Sequence, residues 1–343
     1  MRDHRVRNME EFAALSGLSR PTVSKYFNDP GSVRRSTREK IEQALERYDF
    51  RPNIYAVNQN RRSTKTLGIV VPFLADPFFS EIARTIERMC IDAGFRPILF
   101  GSHGDAGVEV ENLENLRVLK PAGVLMAPLG RLSDRPTIEA FCADVPTVLF
   151  DSRIEDLGEA FVGSNNEQSI GMIVEYLCRT GDAPTFFEMR TPANPNAGKR
   201  RRAYEKAMAR LGFEPRIVHA EGQGWEIEEI GYREGLRALS DRLFATDTVL
   251  CSNDRLAIGL LAAAYEKGVE VGRHERCAMR VAGHDDHPYA RFTCPQLTTV
   301  AQDYEAIAEM SLTSLLDRID REERSQTTSI TLFDGRLVMR ESA

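Results

Sequence analysis

Hydrophobic positions change their spacing once along the 343 residues, and the change divides the chain into two kinds of architecture. From Met9 to Phe50, apolar residues recur at helical intervals in short bursts. "MEEFAALSG" (Met9–Gly17) sets Phe12, Ala13 and Leu15 on one side and ends at a glycine suited to a helix C-terminus. Ser19 caps a second helix, and Pro21 is tolerated in its first turn, where a backbone N–H has no intrahelical partner. Val23, Tyr26 and Phe27 can face the first helix, leaving Arg20, Thr22, Ser24, Lys25 and Asn28 outward. Ser36–Phe50 reads as a third helix, with Ser36 and Glu39 as a capping box and Ile41, Ala44, Leu45 and Tyr48 on one face. Two short helices joined by a tight glycine turn, the second polar and basic, form the helix-turn-helix pattern. There the second helix enters the major groove of DNA. An ordinary helical hairpin with a solvated face fits the same stretch.

A polar segment, "RPNIYAVNQNRRSTKT", follows, with little to bury and the character of a linker. From Leu67 onward apolar runs such as "LGIVVPFL", "GVLMAPL", "PTVLFDS", "TVLCSND" and "MRVAGHDD" alternate with segments of helical period. Strands without in/out alternation, separated by helices, indicate parallel sheets covered on both faces. Two rounds occur, at about 67–164 and 166–292. Such sheets bind ligands at the carboxyl ends of their strands. Several strands here run into polar residues: Pro72–Pro77, Asp151, Asn253–Asp254 and Asp285–Asp286. With Arg200 and Trp225 they could form a polar cleft with aromatic walls, suited to a polyhydroxyl ligand. Alternatively each strand-end Asp or Asn caps the helix that follows, the reading favoured for Asp254.

The net charge of −6 gains meaning when divided. Residues 1–65 carry 14 basic and 8 acidic residues, and the remainder 31 and 43. A basic head on an acidic body is expected where only the head meets phosphate. No apolar run approaches the roughly 20 residues of a membrane span, and the charged start lacks a signal-peptide core. The expected location is the cytoplasm. The six cysteines have no metal or redox spacing and read as reduced, buried, small apolar residues.

Taken in order, "FAALSGLSRPTVSKYFND", "STREKIEQALERYDFRPN", "LGIVVPFLADPFFSEI", "SNDRLAIG", "VAGHDD" and "QLTTVAQD" resemble the lactose-repressor/galactose-repressor (LacI/GalR) family of transcription regulators over nearly the whole chain. The resemblance implies an all-α helix-turn-helix headpiece (1–51), a hinge (52–65) and an α/β two-lobed, periplasmic-binding-protein-like core (66–343) of two doubly wound parallel subdomains. The N-subdomain would comprise about 66–164 plus 296–325, and the C-subdomain about 166–292 plus 327–343. It further implies a homodimer gripping a pseudo-palindromic operator. A small-molecule effector between the lobes would shift DNA affinity, and no cofactor, metal or membrane is involved. The last residues carry no heptad pattern, so a dimer is the expected end state.

On the same resemblance, Arg20, Pro21 and Lys25 fall on base-reading positions, and Thr22, Ser24 and Asn28 on backbone-contacting ones. Asn53 opens the hinge helix, with Tyr55, Ala56 and Gln59 along its DNA-contacting face. In the core, Phe78, Phe79, Asp151, Asn194, Asn196, Arg200, Trp225, Asn253, Asp285, Gln302 and Tyr304 match effector positions. Two departures stand out. Lys25 replaces the usual arginine and lacks its fork for guanine. Gln59 replaces a leucine that wedges into the minor groove, where an apolar side chain serves better.

The residues admit other readings. "GHDDHP" (Gly283–Pro288) invites a metal site but stands without a second ligand cluster, and adjacent strand carboxylates point apart. Neither GxSxG nor a phosphate-binding loop is present. A transport binding protein would lack the basic headpiece. The effector is expected to be a sugar, sugar phosphate or sugar acid, the last two suggested by the basic start of "GKRRRAYEKAMARLG". A purine stacked on Phe78, Phe79 or Tyr304 is the alternative.

Overall fold

The computed structural model describes residues 6, 8–28, 30–48, 50, 64–321 and 328–343. These divide into two compact units, residues 1–64 with 118–120, and the rest from 65 to 343.

The first unit is built on three helices. Helix α1 (Met9–Ser16) is capped by Asn8, whose side chain accepts from Glu11 N, and ends at Gly17 in the left-handed region (φ 67°). Ser19 Oγ accepts from Thr22 N at 3.4 Å and opens α2 (Arg20–Asn28). Phe12, Val23, Ile41, Ala44 and Phe50 form the small core, with Phe12 stacked on Phe50 at 4.6 Å. Tyr26 and Phe27 pack on it half-buried, whereas Leu15 is 41% exposed and takes no part. Helix α3 (Arg35–Tyr48) begins one residue before Ser36. The expected capping box is therefore absent, and Glu39 pairs instead with Arg35 Nε at 3.0 Å.

The second unit has two lobes. In chain order the elements are β1 (Thr66–Val71), α4 (Pro77–Asp92), β2 (Arg96–Gly101), α5 (Ala106–Leu119), β3 (Gly123–Met126), α6 (Arg135–Asp144), β4 (Thr147–Phe150) and β5 (Ala160–Ser164). There follow α7 (Asn166–Thr180), β6 (Thr185–Met189), α8 (Ala197–Arg210), β7 (Ile217–Ala220), α9 (Ile227–Ser240), β8 (Thr248–Cys251), α10 (Asp254–Glu266) and β9 (Arg280–Ala282). The chain closes with β10 (Thr299–Ala301), α11 (Tyr304–Asp320), β11 (Ser329–Phe333) and β12 (Arg336–Val338). The first lobe holds a parallel sheet ordered β11-β5-β4-β3-β1-β2, the second a parallel sheet β7-β6-β8-β9. Every residue of β3, β4, β6 and β8 is buried, as strands covered on both faces require. Edge strand β2 is not.

Two C-terminal segments depart from the expected partition. Ser329–Phe333 pairs in parallel with Ala160–Ser164 and so extends the first sheet, although 327–343 was assigned to the second subdomain. Thr299–Ala301, assigned to the first, pairs with Arg336–Val338, and Thr298 and Ala301 bridge Ala282 and Asp285 in the second. The chain thus crosses between lobes three times, after Ser164, Ala301 and Phe333, and the crossings are tied together. Asn165 N donates to Phe333 O at 2.8 Å and Asn165 Nδ2 to Asp334 Oδ1 at 2.8 Å, while Ser164 Oγ donates to Gln302 Oε1. The six cysteines are free; Cys90 and Cys251 are buried as expected, but Cys294 is exposed.

Helices α9 and α10 meet backbone to backbone. A Cβ on Gly259 would lie 2.2 Å from Glu228 O and 2.5 Å from Tyr232 N. Because backbone cannot yield as a side chain does, Gly259→Ala should lower stability by about 1–3 kcal/mol, read as a fall in urea midpoint at unchanged slope. An unchanged midpoint would contradict this close approach.

Candidate functional site

The site is assembled at the carboxyl ends of strands from both lobes. After β9, Gly283 passes so close to the start of α10 that a Cβ would sit 2.0 Å from Asp254 Oδ1. This close passage brings Asp285 to the cleft in a strained conformation (φ 120°). Its Oδ1 accepts from Arg200 Nη2 at 2.7 Å, from His284 Nδ1 at 2.9 Å and from Gln302 Nε2 at 2.6 Å; Oδ2 accepts from Arg200 Nη1 at 3.2 Å. Tyr304 Oη donates to the Asp285 carbonyl. Burial alone would raise the Asp285 carboxyl, but Arg200 and His284 hold it down to about 2. His284 is itself fully buried; burial and the Arg200 charge depress it to about 4. A neutral ring donates through Nδ1 and accepts from Ser169 Oγ at Nε2, 2.9 Å away. Asp286 points elsewhere, to Arg340 Nη2 at 2.6 Å. Among the described residues no group of three His, Cys, Asp or Glu side chains is placed to hold a metal.

Arg200 lies within α8 with its side chain 3% exposed; its remaining donors reach Ser252 O at 2.8 Å and Asn166 Oδ1 at 3.2 Å. Asn253 caps α10 by accepting from Leu256 N at 2.8 Å. Asp254, expected to cap, is instead fully buried between Thr299 Oγ1 at 2.6 Å and His287 N at 2.7 Å; burial and the neighbouring Asp285 push its carboxyl up to about 7. The opposite wall comes from the first lobe. Asp76 caps α4 by accepting from Phe78 N at 3.0 Å, and its Oδ2 meets Arg255 Nη1 at 3.0 Å. Arg255 also binds Glu228 at 2.6 Å and Trp225 O at 2.7 Å.

A cleft open to solvent lies between these walls. Of the expected effector residues, Phe78, Asn194, Asn253, Asp285 and Tyr304 line it. Arg200 and Gln302 stand behind Asp285. Asn196 Nδ2 donates to Asp151 Oδ1 at 2.7 Å, one layer back. Asp151 is 4% exposed at φ 57°, with no hydrogen-bond partner for Oδ2 among the described residues. Burial drives its carboxyl up to about 7 against the pull of Lys199 and Arg200. Two expected aromatic contacts are displaced. Phe79 is fully buried in the core, and Trp225 stacks behind it on Phe73 at 5.2 Å. Neither lines the cleft, because large apolar rings gain more by filling the space beneath it. Sequence reasoning missed Asp76, Ile227, Arg255, His287 and Pro288 as lining residues, and favoured a capping role for Asp254 over a place in the cleft. The Asp-Pro helix start at Asp76 and the "SNDR" run were visible, but nothing local said what they would face.

In the first unit, Arg20, Pro21 and Lys25 are exposed along α2, and Thr22 and Ser24 are half-buried. Thr22 Oγ1 is already paired with Ser19 Oγ at 2.8 Å. The Asn28 side chain, Asn53, Tyr55, Ala56 and Gln59 lie outside the described residues.

Two outcomes follow from the buried charges. Asp285→Asn leaves Arg200 buried without its anion and should lower stability by about 3–5 kcal/mol in urea unfolding; a loss below about 1 kcal/mol would show that the pair is not desolvated. Asp151 keeps in the folded chain a proton that the unfolded chain releases from pH 3.8, so its contribution falls as pH rises through about 7. Asp151→Asn, which also tolerates positive φ, should flatten stability across that window, and an unchanged slope in urea titrations would refute the assignment.

With this geometry in place, comparison with known proteins gives a consistent result. Residues 8–53 match the family described as "Bacterial regulatory proteins, lacI family", and residues 168–343 match the "Periplasmic binding protein-like domain". The ribose operon repressor of Escherichia coli (strain K12) is 27% identical over 335 residues, covering 96% of this chain and 99% of that protein. The structure titled "transcriptional regulator CelR-cellobiose complex" aligns at TM-score 0.66 with 25% identity, over 98% of this chain and 100% of that one. The lac repressor dimer bound to operator and the anti-inducer ONPF aligns at TM-score 0.80, with 23% identity over 98% of each chain. An exposed polar and basic recognition-type helix, a two-lobed parallel α/β core and full-length similarity to repressors agree: the chain belongs to the LacI family of bacterial transcriptional regulators.

Proposed function

We propose that the protein is a homodimeric, non-enzymatic, cytoplasmic regulator that binds a pseudo-palindromic operator and releases or tightens it in response to a sugar bound between the core lobes. The observation that carries the effector half is the Asp285 carboxylate, ionised and held on the cleft wall by Arg200, with the amides of Asn194 and Asn253 beside it. Carboxylate and amide groups accept and donate to adjacent hydroxyls, while Phe78, Ile227 and Pro288 offer apolar cover for C–H faces. A related repressor is named for a ribose operon, and a structural relative was solved with cellobiose. The purine alternative loses Phe79, which is fully buried, and rests on Phe78 and Tyr304. The operator half rests on the exposed Arg20 and Lys25 of α2 above a closed apolar core.

Titration calorimetry of the purified protein with a sugar panel, repeated on Arg200→Ala, tests the cleft. A saturable response lost in Arg200→Ala, and a changed affinity for operator DNA, are expected; a sugar response that survives the substitution places the effector elsewhere. On the DNA side, Lys25→Ala should weaken operator binding by about 1–3 kcal/mol. If Lys25 contacts phosphate instead of a base, the loss will be uniform across operator sequences and the salt slope will fall by about one.

A further inference from the structure

We infer that the cleft takes an uncharged polyhydroxyl effector and rejects its phosphorylated and carboxylate derivatives, and that Asp76 enforces this choice by pairing with Arg255. The inference rests on the sugar reading above and narrows it. Among the described residues lining the cleft, Arg255 is the only Arg or Lys. Its guanidinium is not available to an anion. One edge is held by Asp76 Oδ2 at 3.0 Å, and the other is bound to Glu228 through Nε at 2.7 Å and Nη2 at 2.6 Å, with Trp225 O at 2.7 Å. Its side chain is 12% exposed and that of Asp76 11%, so the pair is only weakly screened. The second cation nearby, Arg200, stands behind Asp285 and is satisfied by it in bidentate fashion.

The starts of α4 and α10, which face the cleft, offer no substitute. An uncapped N-terminus attracts phosphate. Here Asp76 accepts from Phe78 N and Asn253 from Leu256 N, so each helix carries its own acceptor. The carboxylates of Asp76, Asp254 and Asp285 line the same space. Burial raises the carboxyls of both Asp76 and Asp254, and the nearby charge of Asp285 pushes each the same way. An entering phosphate would meet three carboxyl groups and no uncommitted cation. A hydroxyl compound would meet acceptors. Three of the four cations at the basic start of α8, which suggested an anionic effector in the sequence, are engaged elsewhere. Arg200 serves Asp285, Arg201 pairs with Glu188 at 3.3 Å, and Lys199 donates to Asn196 Oδ1 at 2.8 Å.

Because Asp76 belongs to the first lobe and Arg255 to the second, the selecting pair also spans the cleft that the effector enters. Removing the first carboxylate while keeping its shape should return half of Arg255 to the ligand. The test is calorimetric titration of the full chain with sets consisting of a neutral sugar, its phosphate and its aldonic acid, for example ribose, ribose 5-phosphate and ribonate, or glucose, glucose 6-phosphate and gluconate. Wild-type protein is expected to bind one neutral sugar about a hundredfold or more tighter than its charged forms, the scale of an unpaired like-charge contact. Asp76→Asn should narrow that gap to about tenfold, chiefly by admitting the anion. Equal binding of a neutral sugar and its phosphate by wild type overturns the inference and leaves the sugar reading intact. Undiminished discrimination in Asp76→Asn removes Asp76 from the role. If no sugar of any kind binds while operator binding persists, the sugar reading falls and this inference with it. Should Asp76→Asn fail to fold by circular dichroism, Arg255→Gln decides: it leaves Asp76 and Glu228 unpaired and should widen the gap, and a narrower gap refutes the proposal.

Discussion

A guanidinium taken out of water needs a compensating anion and a partner for each of its donors, and at Arg200 both needs are met by residues drawn from different parts of the second lobe. Asp285 supplies the charge, Ser252 O and Asn166 Oδ1 take further donors, and His284 and Gln302 fill the remaining capacity of the carboxylate. The arrangement fixes the end of β9 against α8, α7 and the residues following β10. Its strength lies less in net stability than in geometry. A buried pair of this kind contributes little over an apolar replacement, yet it orients the carboxylate on the cleft wall without freedom to rotate.

That orientation is connected to the segments joining the lobes. Gln302 lies just past the second crossing; it donates to Asp285 and accepts from Ser164 at the first crossing. Asn165 then reaches Phe333 and Asp334 at the third. A ligand that competes for Asp285 therefore bears on hydrogen bonds at all three crossings, and the Asp76–Arg255 pair ties the two lobes at the opposite wall.

The sequence by itself determined the parts of the molecule governed by short-range energetics. Helical spacing of Phe12, Val23 and Ile41 specified the headpiece core, the glycine after Ser16 ended its first helix, and unbroken apolar runs such as "GVLM" and "TVLF" specified strands buried on both faces. Polar residues at the ends of those runs located the cleft, because parallel sheets bring their carboxyl ends to one side. Much of the candidate site was legible on this basis: Asn253 and Asp285 from strand ends, Phe78, Asn194 and Tyr304 by resemblance.

What only the tertiary structure decided involves partners far apart in the chain. Asp76 and Arg255 are 179 residues apart, and no local pattern encodes their pairing; it follows from the approach of two lobes. Likewise Ser329–Phe333 joined the first sheet because the open edge beside β5 could hydrogen-bond it, a fact about sheet edges and not about its own sequence. Trp225 and Phe79 read as cleft walls by position but were drawn inward, since burying a large ring gains more than lining a wet surface. Propensity and periodicity act over a turn or two of chain, whereas charge pairing, strand order and the choice of which aromatic is covered are settled by what the folded chain brings within a few ångströms.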